Sequence, residues 1–143
     1  MTRISKIFVC SVLLLAVASC ATVQSLVGGG PGFPPIEAGK GRVYFYRTGT
    51  IGATFKIDTS IVMINGDKVG KFIRPGVYLK DLPPGNYAVT TSMTSKVVFF
   101  RLDAGDRKYV RFDNDFFGSV LRPELIDART GESDVSGLDR LVQ

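Results

Sequence analysis

Regularly spaced turn signals constrain the fold of this chain more than any other feature of its sequence. Between Arg42 and Ala128, short runs of β-branched and aromatic residues alternate with glycine, proline and asparagine. The turn signals recur at intervals of about eight to twelve residues, which is typical of many short antiparallel strands. No long segment has the apolar spacing of a helix. The sequence therefore predicts an all-β domain.

Seven or eight strands are predicted. They are residues 42–47, 61–64, 68–73, 77–80, 87–93, 96–102, 108–112 and 121–128. Asn65-Gly66 is the clearest turn, because Asn-Gly readily takes the positive φ values of a tight hairpin. Ala104-Gly105-Asp106 predicts a further hairpin between its flanking strands. Pro123 favours an edge position for the last strand, and residues 136–142 are predicted to form a short terminal helix.

Such a strand pattern fits an antiparallel sandwich or a barrel. Apolar residues alternate unevenly along the strands, as expected when only one face of each sheet is buried, so a sandwich is favoured. The predicted core residues are Phe45, Ile64, Phe72, Val89, Phe100 and Phe112.

The N-terminal region has the arrangement of a bacterial lipoprotein signal. A positively charged start is followed by an apolar run from Ile7 to Val17, then by Ala18, Ser19 and Cys20. A retained transmembrane helix is a weaker interpretation, because the apolar run is shorter than the roughly 20 residues required. Simple secretion fits the small residues but leaves Cys20 unexplained. Cys20 is therefore predicted to be lipidated after cleavage.

Glycine and proline set a second boundary further along the chain. Residues 28–32 and the pair Pro34-Pro35 are typical of a tether, and about 20 flexible residues reach roughly 25 Å. In the alternative interpretation, Phe33 and Ile36 dock on the domain as a first edge strand. The predicted organisation is a signal peptide (1–19), a lipid-anchored flexible tether (20–41) and a β-sandwich domain (42–143).

Charge and cysteine content narrow the class of partner. The chain carries a formal charge of +5, and removal of Arg3 and Lys6 with the signal leaves +3. The chain has no dense run of lysine and arginine, so a nucleic acid partner is not expected. Cys10 leaves with the signal and the sulfur of Cys20 is predicted to be occupied, so no disulfide is expected. In the Gram-negative lipoproteins that this signal resembles, aspartate after the cysteine marks inner-membrane retention; Ala21 instead favours the outer membrane, facing the periplasm.

Four motifs together resemble a family of small bacterial lipoproteins that is known only as a domain of unknown function. They are R-V-Y-F-Y-R from Arg42, I-N-G-D-K-V-G from Ile64, L-P-P-G-N-Y-A-V from Leu82 and A-G-D-R-K-Y-V-R from Ala104. The resemblance runs from about Arg42 to Asp127. It implies a β-sandwich of the prealbumin or PEGA kind on a lipid anchor, and it supplies no catalytic residues. An immunoglobulin-like Greek key is the alternative topology for the predicted sandwich.

The residue types present give little support to catalysis. The chain has no histidine, which is the usual base near neutral pH and the commonest metal ligand. Asp113-Asn114-Asp115 could offer oxygens to calcium, but Gly118 is misplaced for an EF-hand loop. Asp103 and Asp106 are accounted for by a turn. We expect no catalytic residue, metal site or cofactor, and an envelope enzyme using carboxylates or a metal is the alternative class.

Mixed aromatic and basic residues suggest a binding face instead. On three predicted strands both alternating sets of side chains are apolar or aromatic, so each strand offers one set outward. Tyrosine and arginine on one face suit recognition of a protein or a glycan. The alternatives are that this face is covered by other segments or serves cross-strand pairing alone. The predicted binding face consists of Tyr44, Tyr46, Phe99, Arg101, Tyr109 and Arg111.

The sequence thus predicts a non-enzymatic binding or structural module of the bacterial cell envelope. Its expected partners are the membrane, through a lipid on Cys20, and an envelope protein or glycan.

Overall fold

The computed structural model describes residues 32–49, 60–114 and 120–142. The predicted signal peptide, Cys20 and residues 20–31 of the predicted tether lie outside these ranges, as do Asp115 and Gly118. The described elements are β1 (Gly41–Arg47), β2 (Ile61–Ile64), β3 (Asp67–Lys71), β4 (Gly76–Leu82), β5 (Gly85–Thr91), β6 (Val98–Leu102), β7 (Arg107–Asn114), β8 (Leu121–Ile126) and α1 (Ala128–Val135).

Within the described ranges, two four-stranded sheets form a sandwich, which confirms the predicted fold class. Sheet A has the strand order β4-β1-β7-β8 and sheet B the order β3-β2-β5-β6. Neighbouring strands are antiparallel except for β1 and β7, which run parallel. β1 is therefore a central strand of sheet A, paired with β4 on one side and with β7 on the other.

The two predicted hairpins have different outcomes. Asn65 and Gly66 connect β2 to β3 with φ values of 49° and 88°, so the tight turn is confirmed. The hairpin at Gly105 is wrong: β6 pairs with β5 in sheet B, whereas β7 pairs with β1 and β8 in sheet A. A turn does form there, but the Gly105 N–H donates to Lys40 O at 2.9 Å, and Asp106 O accepts from Arg42 N–H at 2.8 Å. These hydrogen bonds hold the turn against the start of β1, at the point where the chain passes from sheet B to sheet A.

The main core lies between the two sheets, where alternating side chains from both meet. All six predicted core residues are buried in this cluster. Aromatic rings supply much of its volume: Phe72 lies 5.5 Å from Phe112 and 5.2 Å from Tyr78 between ring centroids. Burial of such side chains stabilises the fold by roughly 1.5–3 kcal/mol each.

A second, smaller core covers the outer face of sheet A. It contains Tyr44, Tyr46, Val77, Tyr109 and Val135, and we call it the tyrosine layer. Helix α1 packs against this layer, and both faces of β1 are buried.

Helix α1 begins earlier than the sequence predicted. The Asp127 carboxylate accepts a hydrogen bond from Thr130 N–H at 3.0 Å and so caps the first turn. Residues 136–142 were predicted to be helical, but they follow the helix. Only Gly131 and Val135 of α1 are buried. They have the spacing of one helix face, but a glycine and a single valine are too few apolar residues for sequence analysis to detect a helix. No helix in the described ranges is long and apolar enough to span a membrane.

Candidate functional site

The six residues of the predicted binding face do not share one surface. Tyr44 and Tyr46 lie on β1 directly opposite Tyr109 and Arg111 of β7, so these four are on the outer face of sheet A. Phe99 and Arg101 lie on β6, which belongs to sheet B. The prediction of a single face was wrong because it assumed that β6 and β7 form a hairpin.

Burial removes the tyrosines from the candidate surface. Tyr44 is 1% exposed, Tyr46 is fully buried and Tyr109 is 2% exposed. The parallel register stacks Tyr44 on Tyr109 with ring centroids 4.6 Å apart and planes at 13°. Phe33 meets Tyr44 edge-on at 5.8 Å. This is the covered arrangement that the sequence had left open.

Arg111 ties the covering helix to sheet A. Its guanidinium contacts Asp113 at 2.7 Å and Glu124 at 2.9 Å, and Asp134 of α1 lies at 3.8 Å. The Tyr46 hydroxyl donates to Asp134 at 2.8 Å. Burial, together with this hydrogen bond, raises the pKa of Tyr46 far above its ordinary value. Because these carboxylates are engaged by Arg111 and Tyr46, the cluster is suited to holding α1 in place.

A second ion pair fixes the segment before β1. Arg42 is 3% exposed, and its Nη2 donates to Asp81 Oδ2 at 2.7 Å and to Pro35 O at 2.9 Å. Nη1 donates to the Pro34 carbonyl, and Asp81 also accepts from Glu37 N–H at 3.0 Å. We call this group the Arg42 clamp.

The clamp also shows that residues before β1 contact the domain. Phe33 packs on the tyrosine layer, and Pro34, Pro35 and Glu37 bond to the clamp, so this part of the predicted tether (20–41) contacts sheet A. No strand forms there, so the alternative of a first edge strand containing Phe33 and Ile36 is wrong. Sequence analysis missed Arg42 and Asp81 because only the pairing of β1 with β4 sets them opposite each other.

Burial and pairing act in opposite directions on the Asp81 carboxyl. Burial alone would raise its pKa, but the hydrogen bonds from Arg42 and from Glu37 N–H, together with the charge of Arg42, outweigh it. The pKa of Asp81 is therefore held below its ordinary value. The clamp is a charged pair throughout the physiological pH range.

The outer face of sheet B is the remaining candidate surface. Phe99 is 74% exposed and lies opposite Ala88 of β5, while Arg101 lies opposite Asn86. We call Asn86, Ala88, Phe99 and Arg101 the Phe99 face. A depression of about 430 Å³ adjoins it, lined by Asn65, Asn86, Tyr87, Ala88, Phe99 and Phe100. Asn65 fixes its wall, because its side-chain oxygen accepts from Ala88 N–H at 2.8 Å.

Apolar and cationic groups meet on this surface. The Arg101 side chain is 68% exposed and donates to Asp103 at 3.1 Å. An exposed pair of this kind contributes at most about 1 kcal/mol, so Arg101 is able to exchange its partner at low cost. In the part of the chain that the structure describes, no group of three or more aspartate, glutamate, cysteine or histidine side chains is arranged to hold a metal ion.

These features define a small β-sandwich protein with one covered and one open outer sheet face. Residues 37–120, more than half of the chain, match the family described as "Protein of unknown function (DUF2846)", and the chain belongs to this family. This confirms the resemblance to an uncharacterised domain family; its lipoprotein character stays a prediction. No curated protein and no solved structure matches the chain.

Proposed function

We propose that this chain is a lipid-anchored protein of the bacterial cell envelope that acts without catalysis as a binding module. In this proposal Cys20 carries the lipid, the domain faces the periplasm from the outer membrane, and the Phe99 face contacts the partner, which is an envelope protein or a glycan.

A single observation carries the binding role. Phe99 is 74% exposed on a sheet face, whereas the aromatic residues of the opposite sheet face are buried under α1. An exposed aromatic ring beside a cation and an amide offers stacking and directed hydrogen bonds. Support for a non-catalytic role comes from Asp113, Glu124 and Asp134, whose carboxylates surround the Arg111 guanidinium.

The anchor is tested by replacing its predicted attachment atom. In the full-length chain, Cys20→Ser is expected to move the protein from the membrane to the soluble fraction or to leave it as uncleaved precursor. Fractionation and mass measurement of the intact protein report both. A Cys10→Ser variant is the control, because that residue lies inside the predicted signal. Unchanged mass and membrane partition of the Cys20 variant would contradict the anchor.

The contact surface is tested by replacing the exposed ring. Phe99→Ser is expected to reduce capture of partners from envelope extracts while leaving the melting temperature unchanged. Ile73→Ser is the matched control, since Ile73 is also apolar, is 59% exposed and lies outside the Phe99 face. Equal capture by the parent and the Phe99 variant would rule out this surface.

A further inference from the structure

Three of the four sheet edges are protected against pairing with another strand. β3 carries Lys68 and Lys71 and joins β2 through a register shift. The open side of β4 is occupied, because Val77 N–H donates to Asp139 O at 2.9 Å and Leu141 N–H donates to Val77 O at 2.8 Å. β8 contains Pro123, which has no N–H to offer. Lysines, proline and a covering segment are the devices by which proteins protect edge strands.

Among the described residues, β6 is the fourth edge: it carries no lysine or proline, no covering segment bonds to its backbone, and Arg101 is its one charge. Its residues, V-F-F-R-L, include neither proline nor glycine and pair with β5 without a register shift. Both backbone groups of Ala88 are used toward the β2 side, since its N–H donates to the Asn65 side chain and its C=O accepts from Asn65 N–H at 2.9 Å.

The direction of the Ala88 groups fixes the direction of the β6 groups. Phe99 lies opposite Ala88, so its own N–H and C=O point away from β5, to the open edge. Hydrogen-bonding direction alternates along a strand, so the groups of Arg101 point there too. Within the described ranges, no backbone group outside the strand ladders pairs with either residue.

We propose that β6 is a self-association edge, at which a second copy of this chain adds its own β6 antiparallel about a two-fold axis at Phe100. This deepens, and rests on, the proposed role of the Phe99 face by naming its partner as another copy. In that register Phe99 of each copy lies opposite Arg101 of the other, and Val98 lies opposite Leu102. On one face of the joined strands an aromatic ring then lies opposite a cation, and on the other face two aliphatic side chains lie opposite each other.

Charge complementarity selects this register. Opposed side chains of the two copies lie on the same face of the joined sheet only if the two-fold axis passes through a residue of β6 and not between two residues. An axis at Arg101 would set two guanidinium groups opposite each other, and an axis at Phe99 would leave Arg101 opposite Val97. The axis at Phe100 instead gives two cross-strand contacts between an aromatic ring and a cation.

A five-residue edge pair is smaller than the interfaces of stable dimers. Association therefore depends on a high local concentration of the chain. Anchoring of many copies in one membrane plane supplies that concentration.

Cysteine cross-linking in membranes tests the pairing and its register. Two differently tagged full-length copies, one Phe99→Cys and the other Arg101→Cys, are expressed together. Opposed residues of a hydrogen-bonded pair have Cα atoms about 5.5 Å apart, which suits a disulfide. We expect a species of twice the mass that carries both tags and disappears on reduction.

Two controls and three outcomes decide the matter. Phe99→Cys alone should stay monomeric, because the substituted residue of one copy would lie about 9 Å from the substituted residue of the other in this register. Met93→Cys, 55% exposed but outside β6, should also stay monomeric. Absence of the mixed dimer, an equal dimer from Phe99→Cys alone, or linkage only to other proteins would each overturn the proposal. Membrane release of the Cys20 variant is scored separately, so failure of the anchor is distinguishable.

Discussion

Aromatic side chains that point outward from the two sheets have opposite surroundings. Tyr44 and Phe99 both point outward from a sheet, yet Tyr44 is 1% exposed and Phe99 is 74% exposed. The difference arises from α1 and residues 33–37, which cover only sheet A. The fate of a single ring is therefore decided by segments that are remote from it in sequence.

Tyr44→Ala tests this difference at the residue scale. The substitution removes a stacked, buried ring and is expected to lower the free energy of unfolding by about 3–5 kcal/mol. Phe99→Ala is the matched control and should change it by less than about 0.5 kcal/mol. Denaturant unfolding of both variants measures the difference. A small loss for Tyr44→Ala would mean that the tyrosine layer is open in solution.

The Arg42 clamp predicts a pH dependence. Because the pKa of Asp81 is lowered in the folded state, its contribution to stability is present above the ordinary pKa of about 3.9 and is lost as the pH falls through the folded value. Asp81→Asn should cost about 3 kcal/mol at neutral pH, since Arg42 is left buried without its counter-charge.

Unfolding free energies of the parent and the Asp81 variant, measured from neutral pH to acid, check this prediction. The difference between them should be largest at neutral pH and shrink below about pH 4. Asp139→Asn is the control, because its pair with Arg74 is exposed and contributes at most about 1 kcal/mol. A difference that does not vary with pH would assign the effect to packing alone.

At the scale of elements, α1 depends on a glycine for its approach to sheet A. A Cβ on Gly131 would lie 2.3 Å from Tyr109 Cγ and 2.4 Å from Tyr109 Cβ. In an exposed helix, glycine to alanine gains about 1 kcal/mol. Here the clash with an immobile part of the ring should reverse the sign, with a net loss of about 1–3 kcal/mol.

Gly137→Ala is the control for Gly131→Ala, because nothing lies within 4 Å of the Cβ it would add. Thermal unfolding of the two variants compares them directly. A gain in stability for Gly131→Ala would show that α1 is able to move away from β7.

How well an element could be predicted depended on how local its determinants are. The β2–β3 turn was predicted correctly because Asn65 and Gly66 are enough to set its backbone. The pairing of β7 with β1 was not, because it joins Arg42–Tyr46 to Arg107–Arg111 through parallel strands far apart in the chain. Helix α1 was misplaced because its packing depends on Gly131 and Val135, a glycine and a single valine, which give only a weak apolar signal in the sequence.

The candidate site divides along the same line. Phe99 and Arg101 were identified from strand alternation and are exposed as expected. Tyr44 and Tyr109 have the same alternation, and nothing in their own segments says that α1 covers them. The Arg42–Asp81 pair was not predicted, because the sequence does not show that β1 and β4 are neighbours in one sheet.

At the scale of the whole molecule, the region shared with the family stops short of the last two elements of the fold. The family match ends at residue 120, whereas β8 and α1 lie beyond it. A fragment of residues 37–120 loses the strand beside β7 and the cover of the tyrosine layer. We expect it to be unfolded or aggregated, while residues 32–143 give a cooperative thermal transition by circular dichroism. Cooperative unfolding of the shorter fragment would contradict the importance of the second core.

The Arg42 clamp also determines how a mechanical force would enter the domain. Tension on the chain upstream of Gly32 reaches the contacts of Phe33 and the carbonyls of Pro34 and Pro35 before it reaches a strand. Behind them stands β1, which is paired along both edges, to β4 and to β7. A pull along β1 must shear two ladders together instead of opening hydrogen bonds one at a time. The domain would therefore resist a pull on the chain before Gly32 more strongly than a pull on Leu141, which is joined to the sheet through Val77.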